Sequence, residues 1–311
     1  MQKAANSVSV VSCQMSVVHK SVLLQEVVEG LAAKKGDIVL DGTVGGGGHS
    51  EAICNASKGE VTVVCLDADE DAIARSRERL KDSPCRFKFM RSNFRSLDTA
   101  LSALGIGRVD RILLDLGLSS FQLAEDSGRG FSFKGSDPLT MTFAKAPSQD
   151  ELTAYAIVNE WEEESIATII GSYGEERAAK RIAAAIVRER EHAPIRTTAA
   201  LRDIIERALP RRGKLHPATK TFQALRIAVN DEMRALSEGL EKGWRVLSQG
   251  GRFAVISFHS HEDRVVKRFF RSQAQNGEGE LITKKPIVPS KAEVALNPRS
   301  RSAKLRIIEK K

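Results

Sequence analysis

Aromatic residues are scarce. The 311 residues include two Trp and two Tyr, and aromatics make up only 5% of the chain. That argues against a platform on which single-stranded nucleic acid stacks base by base. Cysteine is also sparse. Cys13, Cys54, Cys65 and Cys85 fall at no zinc-like or paired spacing, and Cys65 lies in an apolar run typical of a buried strand, so free thiols in a reducing cytoplasm are expected. No stretch approaches the roughly 18 consecutive apolar residues of a membrane span, and the N-terminus has no basic region followed by an apolar core. A soluble, cytoplasmic protein with no membrane partner is the expectation. Residues 1–17 are Ser- and Val-rich without helical period, which predicts a flexible tail or a true start at Met15.

The chain does have enough apolar content, 41%, for one large α/β domain or a core carrying a smaller one. Its formal net charge of +8 is concentrated late. Helix-patterned Ser21 to Ala33 precedes a short apolar run, Asp37 to Asp41, that enters a glycine cluster as a buried parallel strand does. Strands at 61–67, 87–90 and 112–116 then alternate with helices at 49–56, 69–80 and 97–104. Such a rhythm builds a parallel sheet with helices on both faces. Beyond Leu116 a Gly-, Ser- and Pro-rich stretch leads into almost continuous helix from 148 to 209. The strand rhythm resumes at 251–258, with late strands expected at 281–288 and 304–308. The predicted organisation is a tail at 1–17, a core at 18–125 and 216–311, and a mostly helical insertion for substrate recognition at 126–215, between the fourth and fifth strands.

Asp41-Gly-Thr-Val-Gly45-Gly46-Gly47-Gly48-His49-Ser50 sits where the first strand meets a helix. Missing Cβ atoms let a ligand approach the backbone, and the helix N-terminus favours negative charge. The loop fails the dinucleotide pattern G-x-G-x-x-G, because Ser50 holds the last place. It fits instead the acid-x-x-x-G-x-G form of S-adenosylmethionine-dependent methyltransferases, with Asp41 near the cationic end of the cofactor. Asp67, ending the second strand, is placed to accept hydrogen bonds from ribose hydroxyls, while Asp69 suits a helix N-cap. Asp115, after the fourth strand, emerges at the carboxyl edge of the sheet. A carboxylate there can draw an exocyclic amine toward tetrahedral geometry and aim its lone pair at a methyl donor. A base-C5 methyltransferase would need a nucleophilic Cys nearby, and none is present.

The segments HKSVLLQEVVEGL, DGTVGGGGHS, LLDLGLSSFQL, RGFSF, YGEERAAKRIA, HPATKTFQALRIAVNDE, GGRFAVISFHSHEDRVVKRF and NPRSRSAKLR together resemble the bacterial 16S ribosomal RNA cytosine-N4 methyltransferase family. The resemblance runs from His19 almost to the C-terminus. It implies a class I, Rossmann-like fold and transfer of a methyl group from S-adenosyl-L-methionine to the N4 amino group of a cytidine in the decoding centre of 16S ribosomal RNA, with that RNA held within the small ribosomal subunit. It also implies that Gly47, Gly48 and His49 contact the cofactor, Asp67 its ribose, and Phe94 and Asp115 its adenosine, with Gln122 completing the site and Gly45 in the same loop. Asp115, Ser119 and His259 are the candidates to act on the target base. Where the family usually has Arg, Pro, Asp and Arg, this chain has Gly46, Phe121, Thr140 and Thr142.

His259-Ser-His261-Glu-Asp263 has part of a two-metal hydrolase pattern, but Arg264 stands where such motifs continue with His, so no metal is expected. Arg211, Arg212, Lys214, His216, Lys220 and Arg226, and then Arg299, Arg301, Lys304 and Arg306, form two basic groups suited to RNA phosphates. Two other functions stay open: an assembly factor that binds RNA without catalysis, and a nicotinamide-dependent oxidoreductase on the same fold. A homodimer also stays open.

Overall fold

The computed structural model describes residues 21–118, 121–123, 127–144, 150–209 and 215–311. Cys13, Met15, His19, Ser119, Arg211, Arg212 and Lys214 lie outside the described residues. Helix α1 (Leu24–Leu31) leads into β1 (Ile38–Asp41), α2 (Gly48–Ala56), β2 (Thr62–Asp67), α3 (Glu70–Leu80) and β3 (Arg86–Arg91). A 3-10 turn (Phe94–Ser96), α4 (Leu97–Ala103) and β4 (Val109–Asp115) complete the first half of the sheet. Among the described residues six helices precede the next strand, the first four being α5 (Ala154–Glu160), α6 (Glu163–Gly174), α7 (Ala179–Arg190) and α8 (Thr198–Ala208). Then come α9 (Ala218–Val229), α10 (Glu232–Val246), β5 (Leu247–Ser257), α11 (Ser260–Gln275), β6 (Gly279–Leu281), α12 (Lys291–Leu296) and β7 (Lys304–Lys310).

The seven strands lie in the order β3-β2-β1-β4-β5-β7-β6. β1 to β5 run parallel, and β7 is antiparallel to both β5 and β6. This is the α/β, Rossmann-like sheet that the sequence predicts. Strand order turns back at β1, whose neighbours are β2 and β4, and a crevice opens at such a reversal beyond the carboxyl ends of the strands. Asp41 and Asp115 end the two strands flanking it.

Alternate side chains serve opposite faces, as the period of a strand requires. Val39, Val63, Cys65, Leu113 and Ala254 pack on one side with α1 and α2. Leu40, Val64, Ile112, Phe253 and Val255 pack on the other with α4, α10 and α11. A third apolar cluster, including Ile157, Ile170, Ile182, Ile186 and Leu201, joins the helices between β4 and β5. Helix α9, which the sequence places with the second part of the core, adds Phe222, Leu225 and Val229 to that helical cluster.

Two expectations need correction. Cys54 and Cys85 are joined in a disulfide, with Cα atoms 5.8 Å apart and a separation of 31 in sequence. Spacing along the chain did not reveal it, because the pairing depends on α2 and the approach to β3 meeting in space. Cys65 is free and buried. The strand expected at 281–288 is only β6 plus a single bridge between Ile287 and Leu305. Pro286 and Pro289 lack the N–H that a continuous ladder would use. Among the described residues no helix is long and apolar enough to cross a membrane.

Candidate active site at the sheet crossover

Left-handed backbone at Gly45 (φ 52°) and Gly47 (φ 79°) folds the loop after β1 back on itself. Gly48 opens α2 where a Cβ would meet Ser21 Oγ at 2.2 Å, so a larger residue would have to displace that hydroxyl. A Cβ on Gly46 would meet nothing within 4 Å. The family's Arg could therefore be accommodated there, and its loss leaves the loop's path unchanged.

Gly45, Gly46, Gly48, His49, Asp67, Phe94, Asp115 and Gln122 line one cleft. Asp67 is anchored by backbone: Gly45 N–H donates to Oδ2 at 2.9 Å and Asp69 N–H to Oδ1 at 2.9 Å. Burial nonetheless raises its acid to about 6. Asp69 caps α3 through Asp71 N–H and accepts from Arg129 (2.9 Å), itself almost buried. Gln122 donates to the same carboxylate at 3.4 Å. Arg129 also donates to the Phe143 carbonyl at 2.7 Å and so ties the 127–144 loop to the α3 end of the cleft. In that loop Thr140 donates to the Arg129 carbonyl at 2.9 Å, and Thr142 to Ala144 O at 2.8 Å. The two threonines thus hold their loop through backbone bonds, without the usual pair of charges.

Asp41 and Gly47 do not line the cleft. Asp41 is 1% exposed, and accepts from Ser50 Oγ at 2.6 Å and Thr43 N–H at 3.2 Å. Burial raises its acid to about 6. Gly47 packs its back against Ser76 and Leu80. Both shape the loop from behind.

Asp115 faces the cleft from β4. Its backbone N–H donates to Thr43 Oγ1 at 2.6 Å, which couples β4 to the loop. Its Oδ1 is buried with no hydrogen-bond partner among the described residues. Burial, then the nearby charges of Asp41 and Glu262, push the acid well above the usual carboxylate range. His49 Nδ1 lies 3.6 Å from Asp115 Oδ2, and His49 Nε2 is 2.9 Å from the Val22 carbonyl. A carbonyl only accepts, so Nε2 carries a hydrogen, and Nδ1 is the ring nitrogen that faces Asp115.

His259 sits behind the wall. Its Nδ1 accepts from Glu262 N–H at 3.4 Å in a capping box at the start of α11, and its ring is not part of the lining. Glu262 reaches the cleft instead. Its Oε2 accepts from Phe258 N–H (2.7 Å) and His259 N–H (3.2 Å). Burial opposes its charge, but the His259 contact, the Arg226 charge and the Phe258 bond together hold its acid below the usual value. Glu232, also in the wall, takes both of its hydrogen bonds from Arg226 at 2.8 Å.

Glu232, His259 and Glu262 bring ligand-type atoms within 4.8 Å of one another. They are a different set from the His259, His261 and Asp263 pattern in the sequence. Asp263 is occupied by Lys304 (3.0 Å) and Arg306 (2.7 Å), and His261 lies 3.4 Å from Glu175. These contacts also remove Lys304, Arg306 and Arg226 from the cations expected to meet phosphate, while Arg299 faces the cleft.

Sequence reasoning assigned no part in the cleft to Asn230, Glu232 or Asn297, all of which line it. Their signal was available in the polar ends of RIAVNDE and NPRSRS, where a helix junction and a 3-10 turn point at the crossover.

The conserved pattern of one family, described as the MraW methylase family, spans residues 16–311. This chain belongs to the MraW methylase family. Membership sets aside the nicotinamide-dependent alternative. Curated relatives carry the name ribosomal RNA small subunit methyltransferase H. One from Geotalea uraniireducens is 47% identical over 94% of this chain and 98% of its own length. Another from Citrifermentans bemidjiense is 46% identical over the same shares, and one from Clostridioides difficile is 40% identical, again over 94% and 98%. Among solved structures, an rRNA methylase from Streptococcus thermophilus superimposes with a TM-score of 0.43 at 12% identity, covering 92% of this chain and 93% of that one. So loose a likeness carries no argument about the site.

The residues present fit S-adenosylmethionine. The glycine loop offers a cradle open at Gly46, Asp67 lines the cleft from the end of β2, where a carboxylate can accept from ribose hydroxyls, and Asp115 Oδ1 is buried with no hydrogen-bond partner among the described residues.

Proposed function

We propose that this protein is a cytoplasmic S-adenosylmethionine-dependent methyltransferase acting on the N4 amino group of a cytidine in the decoding centre of 16S ribosomal RNA. The observation that carries the reading is Asp115, a buried carboxyl at the crossover with one oxygen unpaired among the described residues and the other facing a histidine ring nitrogen. When bound, S-adenosylmethionine supplies the electrophilic methyl group. Gly45, Gly48 and His49 would hold its amino-acid end, Asp67 its ribose, and Phe94 and Gln122 its adenosine.

The exocyclic nitrogen of cytosine is a poor nucleophile, because its lone pair is shared with the ring. Asp115 Oδ1 accepts one N–H and so localises that lone pair. An acid raised above its usual range is a stronger base, suited to receive the proton that the amine must lose. From Asp115 Oδ2 the proton passes to His49 Nδ1, whose ring is fixed by the Val22 carbonyl. Glu262, whose donors hold its acid below the usual value, and Glu232 present carboxylate oxygens on the facing wall. Ser119, outside the described residues, is carried forward as a candidate contact to the base. His259 acts through Glu262 as a positioning residue.

The test incubates the protein with methyl-labelled S-adenosylmethionine and small subunits from cells lacking the enzyme, then maps the product by mass spectrometry. N4-methylcytidine at a single decoding-centre position is expected. Label on the ring C5 carbon, or none on RNA, would overturn the assignment.

A further inference from the structure

A second depression lies away from the cleft, between the starts of α7 and α9, with a volume of about 790 Å³. Arg177, Lys180, Arg181 and Lys220 line it, against one carboxylate, Glu176. Arg177, Lys180 and Arg181 are exposed and have no ion pair among the described residues. Glu176 is half-buried and already committed, with Oε1 accepting from Ala178 N–H at 3.0 Å and Oε2 3.7 Å from Lys220 Nζ.

These cations stand at the wrong end of their helices. Lys180 and Arg181 occupy the first turn of α7 and Lys220 that of α9, and neither turn holds an acid. A helix N-terminus disfavours positive charge by some tenths of a kcal/mol for each group. Lys220 has partners in Glu175 and Glu176, but fold stability gives no reason for Lys180 and Arg181, whereas a polyanion would neutralise them.

A short chain of contacts links the depression to the wall of the cleft. Lys220 Nζ donates to the Glu175 carbonyl at 2.8 Å, and the Glu175 carboxylate accepts from Ser260 Oγ at 3.2 Å and lies 3.5 Å from Arg264. Ser260 begins α11, two residues before Glu262 of the cleft wall. A chain of phosphates leaving the cleft would meet Arg264 and then the α7 cations.

We propose that this basic groove binds the sugar-phosphate backbone of the RNA flanking the target nucleotide, so that the helical cluster supplies substrate affinity while the sheet supplies chemistry. The proposal rests on the RNA methyltransferase reading above. Phosphate contacts of this kind carry no sequence information but position the strand.

The decisive experiment compares the full-length wild type with Arg177→Ala/Arg181→Ala for binding to the 16S RNA fragment containing the decoding centre, between 50 and 200 mM salt. Two lost contacts to single-stranded RNA lower the slope of log K against log salt by about 1.4. The wild-type advantage then shrinks about sevenfold across that fourfold salt range. S-adenosylmethionine affinity should be unchanged, and the melting temperature unchanged or slightly higher, since helix-start cations are removed. Equal RNA affinity and slope in the two proteins would overturn the groove while leaving methyl transfer intact. Equal binding to naked RNA with weaker methylation of assembled subunits would also overturn it, in favour of a ribosomal protein as the groove's partner. If the wild type binds no RNA and transfers no methyl group to it, the function reading fails and takes the groove with it.

Discussion

Replacing Asp41 by Asn tests whether a buried charge is maintained behind the glycine loop at a cost to stability. Burial raises this acid from 3.8 to about 6, even though Ser50 and Thr43 both donate to it. The difference of about 2.2, at about 1.36 kcal/mol for each unit, corresponds to about 3 kcal/mol. The native state binds the proton more tightly than the unfolded chain does. The acid therefore contributes its full stability below about pH 3.8, and loses it as pH rises to about 6. Asn stays neutral, can accept from Thr43 N–H and can donate to Ser50 Oγ. The variant should exceed the wild type by about 3 kcal/mol at pH 7.5 and by only about 1 kcal/mol at pH 4.5, where native Asp41 is mostly protonated. For a chain of 311 residues the unfolding entropy is about 0.6 kcal/mol/K, so 3 kcal/mol appears as about 5 °C in melting temperature. Calorimetry of the cofactor-free proteins at both pH values measures it. A variant that melts no higher than wild type at pH 7.5, or a gap that does not widen with pH, would refute the reasoning. Titration with S-adenosylmethionine adds a second reading: weaker binding by the variant would show that the charge behind the loop is used by the cofactor's cationic end.

Asp115→Asn should lower the methyl-transfer rate by about 10²- to 10⁴-fold, the usual loss on removing a general base, measured with labelled cofactor under saturation. In the wild type, activity should fall as pH drops through the raised acid range of Asp115, and a flat acidic limb would count against its role as base. Arg129→Ala leaves Asp69 without its closest cation partner and frees the Phe143 carbonyl, so a loss of about 3–5 kcal/mol is expected in denaturant unfolding, with weaker cofactor binding. The disulfide closes a segment of 31 residues, for which chain entropy predicts about 3–4 kcal/mol. Oxidised wild type should melt higher than the reduced protein, and Cys54→Ser/Cys85→Ser should show no such difference.

Much of the fold was legible because it rests on local patterns. Alternating short apolar runs and helical periods announced β1 to β5 with their connecting helices, and the change of period after Leu116 announced the helices that follow. The late region was harder to read, since 281–288 has the composition of a strand but its prolines restrict pairing to one short piece and one bridge. Within the site, Asp67 and Asp115 were readable because each ends a strand, and Gly45 and Gly48 because they lie between a strand end and the next helix, on the one edge that a parallel sheet offers there. His259 misled for a corresponding reason: its position at the end of β5 was apparent, but not that its ring would turn inward to cap α11 and send Glu262 to the cleft.

By itself the sequence determined the α/β class, the glycine loop, the acids at the ends of β2 and β4, and the resemblance that points to ribosomal RNA. All of these depend on residue type and short-range spacing. Only the tertiary structure decided which cations are free for RNA. Arg226, Lys304 and Arg306 are taken up by Glu232 and Asp263, whereas Arg177, Lys180 and Arg181 stand exposed around one groove. It alone joined Cys54 to Cys85 and turned His49 Nδ1 toward Asp115. The physical reason is common to all three. A charge, a thiol or a ring nitrogen acquires its role from partners brought close by folding across tens of residues, and no local pattern records that distance.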